Sequence, residues 1–566
     1  MSRVIAPTQC AAPRNFLPNI EVDKAPRSVT LRGTATYDKG FNMRDFHLPG
    51  RSPVLATSGM CATSHPLAAH TAIETLKAGG NAMDAAIAGA VLLGICEPQM
   101  TGIGGDCFVL WSDGTGQIKA LNGSGRAPAG LDAAELRATG ASVVPPNSAH
   151  AVTVPGAIDA FCTLSETVGT LGLDTLLAPA IHYAETGIPV APRVAFDWGN
   201  DAPALQGAAR DAYLVNGQVP TAGQIFAAPG QAQVLRKVAQ HGRDAFYTGD
   251  VAEDLVAALN AMGGKHTLDD FAKTACTDTT PIQSTYKGID LVEHPPNGHG
   301  ATANLMLNIL AHFDIADMDP WGSQRAHIEA EAAKLAYDPR GRVLGDAAHT
   351  PRLDHLLEPD TACQLAALID PKRAMPNATK LSEQVHKDTI YITVVDRDGM
   401  AVSLIYSIFH GFGSGIASEK YGILFQNRGA GFTLEENHPN ELKGGKRPMH
   451  TIIPGMLARE GKPFMPFGVM GGAYQPKGHA RFLSNLVDFG LGPQAAIDAP
   501  RAFSDAGNMK VERGYSDVVR AELSEMGHAV TIPDTAIGGA QAIQIRDDGV
   551  LEGASDPRKD GCALGY

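Results

Sequence analysis

A threonine heads a strand-like segment in which polar residues are otherwise rare. In HKDTIYITVVDRDGM (386–400), Thr389 precedes a run, 390–395, that is almost wholly β-branched or aromatic, as strands prefer. The turn that follows fits a three-residue hairpin loop closed by Gly399 in the left-handed conformation. This register places Thr389 opposite Ser407 on the returning strand, within the roughly 5 Å of a cross-strand pair. The spacing therefore predicts two hydroxyl groups side by side.

Such a pair is suited to nucleophilic chemistry if the chain is cut before Thr389. A threonine hydroxyl is a poor nucleophile until a base takes its proton, and a freed α-amine, with a pKa of about 7.7–8.0, is such a base. The same hydroxyl could make the cut by attacking the carbonyl of Asp388, which gives an ester that water resolves. The alternative is that Thr389 is an ordinary edge residue, as most strand-leading threonines are.

Other chemistries find weak support in the sequence. No H-E-x-x-H motif occurs among the 19 histidines, and pairs such as His65 and His70 have no partner cluster, so no metal ion is expected. NGSGR (122–126) and GFGSGI (411–416) lack the offsets of a G-x-S-x-G elbow. TGIGGDC (101–107) lacks the last glycine of G-x-G-x-x-G, and no Walker loop occurs. No cofactor is expected.

Composition limits the class of protein. The 566 residues are 44% hydrophobic, enough for a large core, and the formal net charge is −14. This acidic balance, without runs of Lys or Arg, argues against nucleic acid as a partner. No stretch reaches the roughly 18 apolar residues of a membrane span and no apolar signal core begins the chain, so the cytoplasm is the expected location. The eight dispersed cysteines, without C-x-x-C, predict buried thiols rather than disulfides or zinc.

The elements that must position Thr389 are predicted as mixed helices and strands. An apolar helix over 82–95, with Asn81 as its N-cap and nearly no polar face, is expected to be buried. Strands and glycine turns dominate after Thr389, whereas helices dominate 150–350, and residues 1–50 are predicted to form an irregular strap. This pattern is typical of an α/β or α+β layered fold. Further elements are predicted over 67–77 (helix), 97–111 (glycine turn and strand), 174–185 (helix) and 323–336 (helix).

Several longer motifs also resemble one family, the γ-glutamyltransferases (γ-glutamyltranspeptidases), which are self-processing N-terminal-nucleophile hydrolases. They extend from about residue 55 to the C-terminus, in the family's order: AGGNAMDAAIAGAVLLGICEPQMTGIGGDCFVL (78–110), DTIYITVVDRDGMAVSLIYS (388–407), FGSGI (412–416), GILFQNRGAGF (422–432), GKRP (445–448), MGG (470–472) and GASDPR (553–558). The resemblance implies a four-layer αββα sandwich of the α/β class, formed jointly by two subunits cut from one chain. The large subunit would comprise 51–388 with the strap before it, and the small subunit 389–566.

The catalytic positions of the family carry over to this sequence. By resemblance, Thr389 is the nucleophile, freed by a cut after Asp388, and Ser407 is the hydroxyl that supports its amine. Gly471 and Gly472 match the pair whose backbone N–H groups form the oxyanion hole, where glycine lets the backbone approach the developing charge. The alternative is that these two glycines form only a tight turn.

The substrate-binding positions depart from the family. The arginine that usually holds the substrate α-carboxylate is Ser124 here, with Arg126 two residues later. The asparagine expected after the supporting hydroxyl is Phe409, and the usual serine pair is His450-Thr451.

The acid that usually holds the substrate α-amine is also missing, since its position is Gly431. Arg428 lies close by in sequence and offers a fork suited to a carboxylate, or else forms a structural ion pair. These departures resemble the branch that includes glutaryl-cephalosporin acylases and oxamate amidohydrolase.

The expected function is that of a self-cleaving amide hydrolase or acyltransferase acting on a small-molecule amide. A γ-glutamyl compound is the default donor, and a carboxylated acyl group without an α-amine is the close alternative. An uncleaved, non-catalytic binding protein is the alternative from another class. The changed substrate positions allow it, whereas the intact nucleophile, supporting hydroxyl and glycine pair argue against it.

Overall fold

The computed structural model describes residues 34–37, 41–44, 46, 47, 50–376, 389–505 and 507–566. Most of the predicted strap lies outside these residues, as does Asp388 with the segment that precedes it. Of the strap, the strands Thr34–Tyr37 and Phe41–Arg44 are described, and they pair antiparallel. The strap and the subunit boundary between residues 388 and 389 therefore stay predictions.

Two antiparallel seven-stranded sheets contain most of the strands. Sheet I has the strand order Cys562–Gly565, Gly59–Thr63, Ile390–Asp396, Ala401–Ser407, Asp106–Ser112, Ile118–Gly123 and Thr277–Thr279. Sheet II has the order Ile282–Tyr286, Ile289–Glu293, Gly455–Arg459, Lys462–Met470, Gly539–Ile545, Leu551–Ser555 and Val54–Ala56. Each sheet thus combines strands from both sides of Thr389.

The two sheets pack face to face at their centres. The Ser403 hydroxyl donates to the Phe467 carbonyl across the layer, at 3.2 Å, and lies 2.7 Å from the Tyr391 hydroxyl. A Cβ atom on Gly468 would lie only 2.3 Å from the Tyr391 ring, so the absence of a side chain there lets the sheets approach. The central strands are consequently buried on both faces.

Helices cover the outer face of each sheet. On sheet I, Ile390, Ile392 and Val394 share a hydrophobic core with helices Pro66–Lys77, Ala82–Cys96, Ala157–Thr167 and Leu173–Thr186. On sheet II, Leu457, Phe467 and Val469 share a core with helices Gly300–Leu310, Ser323–Val343 and Gln475–Phe489. The result is the four-layer αββα sandwich that the resemblance implied.

The predicted elements are confirmed, with small shifts of boundary. Helix Ala82–Cys96 is buried at every residue, and Asn81 and Asp84 form a capping box at its start. Helix Ser323–Val343 runs seven residues beyond the predicted end at 336. It continues through Pro339, which removes one backbone hydrogen bond, and Pro339 and Arg340 are the buried residues of this extension.

The remaining helices are Ala133–Ala138, Pro192–Asp201, Ala208–Tyr213, Pro229–His241, Asp244–Tyr247, Gly249–Ala261, Leu268–Ala272, Leu353–Leu357, Pro359–Ala366, Pro493–Asp498 and Asp517–Glu525. The remaining strands form a three-stranded sheet and a short pair: Ala502–Asp505, Asn508–Val511 and Val530–Thr531, and Ile188–Pro189 with Ile225–Phe226.

The cysteines depart in part from the prediction of buried, free thiols, since Cys276 and Cys562 are only half-buried. Six of those that the structure describes are free thiols: Cys61, Cys96, Cys107, Cys162, Cys276 and Cys562. Cys363, however, is disulfide-bonded, so the prediction of thiols throughout is wrong there. It failed because dispersed spacing carries no information on which cysteines meet in space. Among the described helices, none combines the length and the apolar character needed to cross a membrane.

Candidate active site

The hairpin after Thr389 has the register predicted from its turn. Thr393 pairs with Ser403 and Val394 with Val402, and Gly399 closes the turn with a φ of +85°. Thr389 is 1% exposed, and its hydroxyl donates to Ser407 Oγ at 3.3 Å. The two hydroxyl groups inferred from the sequence are therefore in contact.

A third polar side chain, Asp106, extends this pair across the sheet. Asp106 is the strand partner of Ser407, so Thr389, Ser407 and Asp106 stand at the ends of three adjacent strands. Its Oδ1 accepts N–H groups from Gly125 at 3.1 Å and from Gly156 at 3.3 Å. Sequence reasoning missed this residue, and the signal available was a carboxylate placed directly between a glycine turn and a buried strand.

Arg428 lies over this row and is fully buried. Its Nη1 donates to Thr451 Oγ1 at 2.8 Å and its Nη2 to Ser407 Oγ at 3.2 Å. Its guanidinium carbon lies 4.1 Å from the centre of the Phe409 ring, within the range of a cation–π contact. The cation predicted from sequence to lie near the substrate thus lies in contact with the Ser407 hydroxyl.

Phe409 holds the turn that follows Ser407. Its φ is +83°, a conformation that non-glycine residues rarely adopt and that asparagine tolerates better than phenylalanine. Its N–H donates to Ser407 Oγ at 2.9 Å, and its buried ring contacts Arg428. Phe409 therefore shapes the site through both its backbone and its ring.

His450 and Thr451 complete the buried network. His450 Nε2 lies 3.2 Å from Asp106 Oδ2, and His450 Nδ1 accepts the N–H of Ile452 at 3.4 Å, so Nε2 carries the proton. Burial lowers the pKa of His450 well below its usual value, and the nearby charge of Arg428 lowers it further. His450 is consequently a neutral donor to Asp106.

The charge of Asp106 depends on two opposing effects. Burial raises its pKa to about 7, although Arg428 and the N–H groups of Gly125 and Gly156 favour the carboxylate. Desolvation outweighs these contacts because the carboxyl group is fully buried. Asp106 therefore titrates near neutral pH.

Ser124 and Arg126 lie on the neighbouring loop, in different surroundings. The buried Ser124 hydroxyl donates to Asn122 Oδ1 at 2.7 Å and accepts from Asn297 Nδ2 at 3.2 Å. Arg126 is 48% exposed and pairs with Asp346 at 3.1 Å. The structure therefore places Ser124 in an asparagine network beside the site and Arg126 at the surface.

Gly471 and Gly472 follow the strand that packs on Tyr391. Their φ angles are +119° and +52°, and a Cβ on Gly471 would lie 2.9 Å from Gly538 Cα. They precede helix Gln475–Phe489, whose first backbone N–H groups have no partner within the helix. Both observations fit backbone donors held in an unusual conformation.

One hydrophobic cluster explains why these segments converge. Each of its five members lies within two residues of a site position, between the two sheets: Phe108, Tyr391, Ile405, Ile452 and Met470. The cluster therefore brings together the neighbourhoods of Asp106, Thr389, Ser407, Thr451 and Gly471. Among the predicted site positions that the structure describes, Arg126 is the exposed one, and it pairs with Asp346. Asp388 lies outside the described residues.

Comparisons with known proteins agree with this geometry. The sequence model of the Gamma-glutamyltranspeptidase family matches residues 68–566. The Glutathione hydrolase-like YwrD proenzyme of Bacillus subtilis is 35% identical over 526 residues, which cover 90% of this chain and 99% of the relative. The Oxamate amidohydrolase proenzyme of Klebsiella pneumoniae is 34% identical, with coverage of 90% and 99%.

Among solved structures, the cephalosporin acylase of Bacillus halodurans is similar, with a TM-score of 0.85 and 36% identity. The match covers 93% of this chain and 99% of that one. Family model, relatives and fold thus agree over almost the whole chain.

Proposed function

From the premise that the chain belongs to the gamma-glutamyltranspeptidase family, and is an N-terminal-nucleophile amide hydrolase or acyltransferase, we propose that Thr389 is its nucleophile. The proposal is carried by the hydroxyl pair of Thr389 and Ser407, 3.3 Å apart at the head of the central strand. Residues 1–388 and 389–566 would form the large and small subunits.

Self-cleavage requires no group beyond those already in the chain and water. The Thr389 Oγ attacks the Asp388 carbonyl carbon, the C–N bond to Thr389 breaks, and its nitrogen takes the hydroxyl proton. Water then hydrolyses the resulting ester, which releases the Asp388 carboxylate and leaves Thr389 with a free α-amine. Because both sheets contain strands from each fragment, the two products would remain associated as a heterodimer.

In turnover, the free α-amine serves as base and then as acid. It takes the Thr389 hydroxyl proton as Oγ attacks the substrate carbonyl, and gives that proton to the departing amine when the C–N bond breaks. The N–H groups of Gly471 and Gly472 would bind the developing oxyanion. Water, or an acceptor amine, then releases the acyl group from Thr389.

We propose that the acyl group carries a carboxylate which Arg428 recognises. Arg428 is buried, lies in contact with Ser407, and has no acidic residue at position 431 beside it that would favour an α-ammonium group. The remaining wall would come from Phe409, His450, Thr451 and Ser124. An exposed Arg126, paired with Asp346, would act only at the rim.

Two classes of amide are candidate substrates for this site. The first has a carboxylated acyl group without an α-amine, as the name of the oxamate amidohydrolase relative suggests. The second is a γ-glutamyl amide, which the glutathione hydrolase-like relative supports. The cytoplasmic location stays a prediction of the sequence.

The first experiment is the intact mass of the purified protein beside Thr389→Ala. Two fragments, ending at Asp388 and beginning at Thr389, are expected for the wild type and a single chain for the variant. An uncut, folded wild-type chain would remove the proposed base and favour a binding protein. A panel of glutaryl, oxamate and γ-glutamyl amides then separates the donors, and exclusive γ-glutamyl turnover would contradict the inference from Gly431 that the acyl group lacks an α-amine.

A further inference from the structure

A buried cluster of His327, Glu331 and His528 lies outside the candidate active site. One ligand-capable atom from each of the three residues lies within 4.8 Å of the others. His327 and Glu331 are one turn apart on helix Ser323–Val343, whereas His528 follows helix Asp517–Glu525. The cluster therefore joins a segment before Thr389 to a segment after it.

The hydrogen bonds around His327 leave one ring nitrogen as a lone-pair donor. His327 Nε2 lies 2.8 Å from the Asp370 carbonyl, which can only accept, so Nε2 carries the proton. His327 Nδ1 consequently has a lone pair, and it points at His528 Nε2, 2.8 Å away. A backbone carbonyl that orients a histidine through its other nitrogen is typical of metal-ligating histidines.

The Glu331 carboxylate is likewise oriented by hydrogen bonds from neighbouring groups. One carboxylate oxygen accepts from Lys334 Nζ at 2.8 Å and the other from the Met375 N–H at 2.7 Å. Each oxygen retains a second lone pair, so these bonds orient the carboxylate without exhausting it. Two imidazoles and one carboxylate are a ligand set found at zinc sites.

We propose that His327, Glu331 and His528 bind a transition-metal ion, with Zn²⁺ as the best candidate, and that the ion joins the two segments of the chain. Tetrahedral Zn–N bonds of about 2.0–2.1 Å place two ligating nitrogens about 3.3 Å apart. The two histidine nitrogens would therefore have to separate by about half an ångström from their present 2.8 Å.

The charges around the cluster decide which metal fits. Two lysines lie near the cluster: Lys334 donates to the Glu331 carboxylate at 2.8 Å, and Lys477 is a second buried cation that interacts electrostatically with His528. The same cations oppose a hard ion such as Mg²⁺, whose binding depends on negative charge and oxygen ligands. Zn²⁺ gains its affinity from imidazole nitrogen, and Glu331 supplies one compensating charge.

The location gives the ion a structural role that rests on the proposed cleavage. Residues 370–375 run past the cluster and are fixed to it through Asp370 and Met375, upstream of the proposed cut. After the cut, His327 and Glu331 would belong to the large subunit and His528 to the small one. The ion would then cross-link the two products, whereas its binding does not require the cut.

Zinc content and affinity test the proposal on the whole protein. The chain is stripped with a chelator, dialysed and titrated with ZnCl₂ by calorimetry, beside His528→Gln and the control His355→Gln. His355 forms an exposed pair with Glu358 at 3.1 Å, and among the residues that the structure describes no third His, Cys, Asp or Glu completes a cluster there. One Zn²⁺ per chain is expected for the wild type and the control, with at least tenfold weaker binding for His528→Gln.

Two further variants, Glu331→Gln and the uncleaved Thr389→Ala, keep the outcome decisive. Glu331→Gln keeps the size of the side chain and should weaken Zn²⁺ binding even if His528→Gln fails to fold. Thr389→Ala should bind Zn²⁺ like the wild type, so loss of cleavage cannot be mistaken for loss of the site. Absence of stoichiometric zinc in the wild type, or equal affinity in the ligand variants, would overturn the proposal.

Discussion

Arg428→Lys should reduce turnover of carboxylated amides far more than turnover of uncharged ones. Arg428 presents Nη1 and Nη2 toward Thr451 and Ser407, at 2.8 and 3.2 Å, whereas a lysine has a single nitrogen. A charge-assisted hydrogen bond contributes about 1.5–3 kcal/mol, so loss of one such bond to a substrate carboxylate lowers kcat/KM by about 10- to 150-fold.

Lysine is a more informative substitution than an uncharged residue because the buried site needs a cation at position 428. Removing the charge altogether would leave Asp106 without the arginine that favours its carboxylate, and an uncompensated buried charge destabilises a fold strongly. Lysine keeps the charge and loses the fork, so folding and self-cleavage are expected to persist. A thermal melt and an intact mass check both.

The assay compares glutaryl and butyryl amides that share one chromogenic leaving group. Their acyl groups differ by the carboxylate, so the ratio of their kcat/KM values isolates its recognition. We expect the ratio to collapse in Arg428→Lys and to stay unchanged in Arg447→Lys. Arg447 is a buried arginine of the same region whose donors bind Ser124 O, Ala275 O and Thr277 Oγ1. If both amides lose activity equally in Arg428→Lys, Arg428 only orients Ser407 and the carboxylate proposal is wrong.

Three further predictions follow from the same geometry. Ser407→Ala should slow both self-cleavage and amide turnover by about tenfold, because it removes one hydrogen bond to the Thr389 hydroxyl. Time-resolved intact mass measures the first rate, and initial rates of amide hydrolysis measure the second. Gly471→Ala should lower kcat by about 10²- to 10³-fold through displacement of an oxyanion donor, whereas Gly140→Ala, at a comparable φ of +83° with open space around it, should leave kcat unchanged. Between about pH 4 and pH 7 the folded chain retains the Asp106 proton, whereas the unfolded chain has released it. Asp106 therefore lowers the free energy of unfolding by about 1.4 kcal/mol for each unit of rising pH in this range. Urea titrations at pH 5 and 7 should show this loss in the wild type and a smaller loss in Asp106→Asn; identical slopes would contradict the raised pKa.

Features that depend on residues close together in the chain could be predicted from the sequence. The hairpin register depends on turn length and Gly399 alone, so it predicts the contact between Thr389 and Ser407 without the rest of the fold. The helix Ala82–Cys96 was likewise recognisable from its apolar character and its cap. Such features are encoded within a few neighbouring residues.

Contacts between distant segments were not predictable in this way. Asp106 meets His450 and Ser407 only because sheet I places a strand from early in the chain beside the hairpin. The exposed pairing of Arg126 with Asp346 likewise depends on a loop more than 200 residues away. Motif resemblance identifies such positions but carries no information on their partners.

The charges of Arg428 and Asp106 couple substrate binding to protonation. Arg428 favours the Asp106 carboxylate, while burial opposes it and holds the pKa near 7. A substrate carboxylate placed on Arg428 would neutralise the cation and bring a second negative charge toward Asp106. The pKa of Asp106 would then rise, so a carboxylated amide would bind with uptake of a proton near neutral pH. An uncharged amide would leave this balance unchanged. The same buried pair would therefore make recognition of an acyl carboxylate depend on pH, whereas the register that brings Thr389 to Ser407 is set by the hairpin.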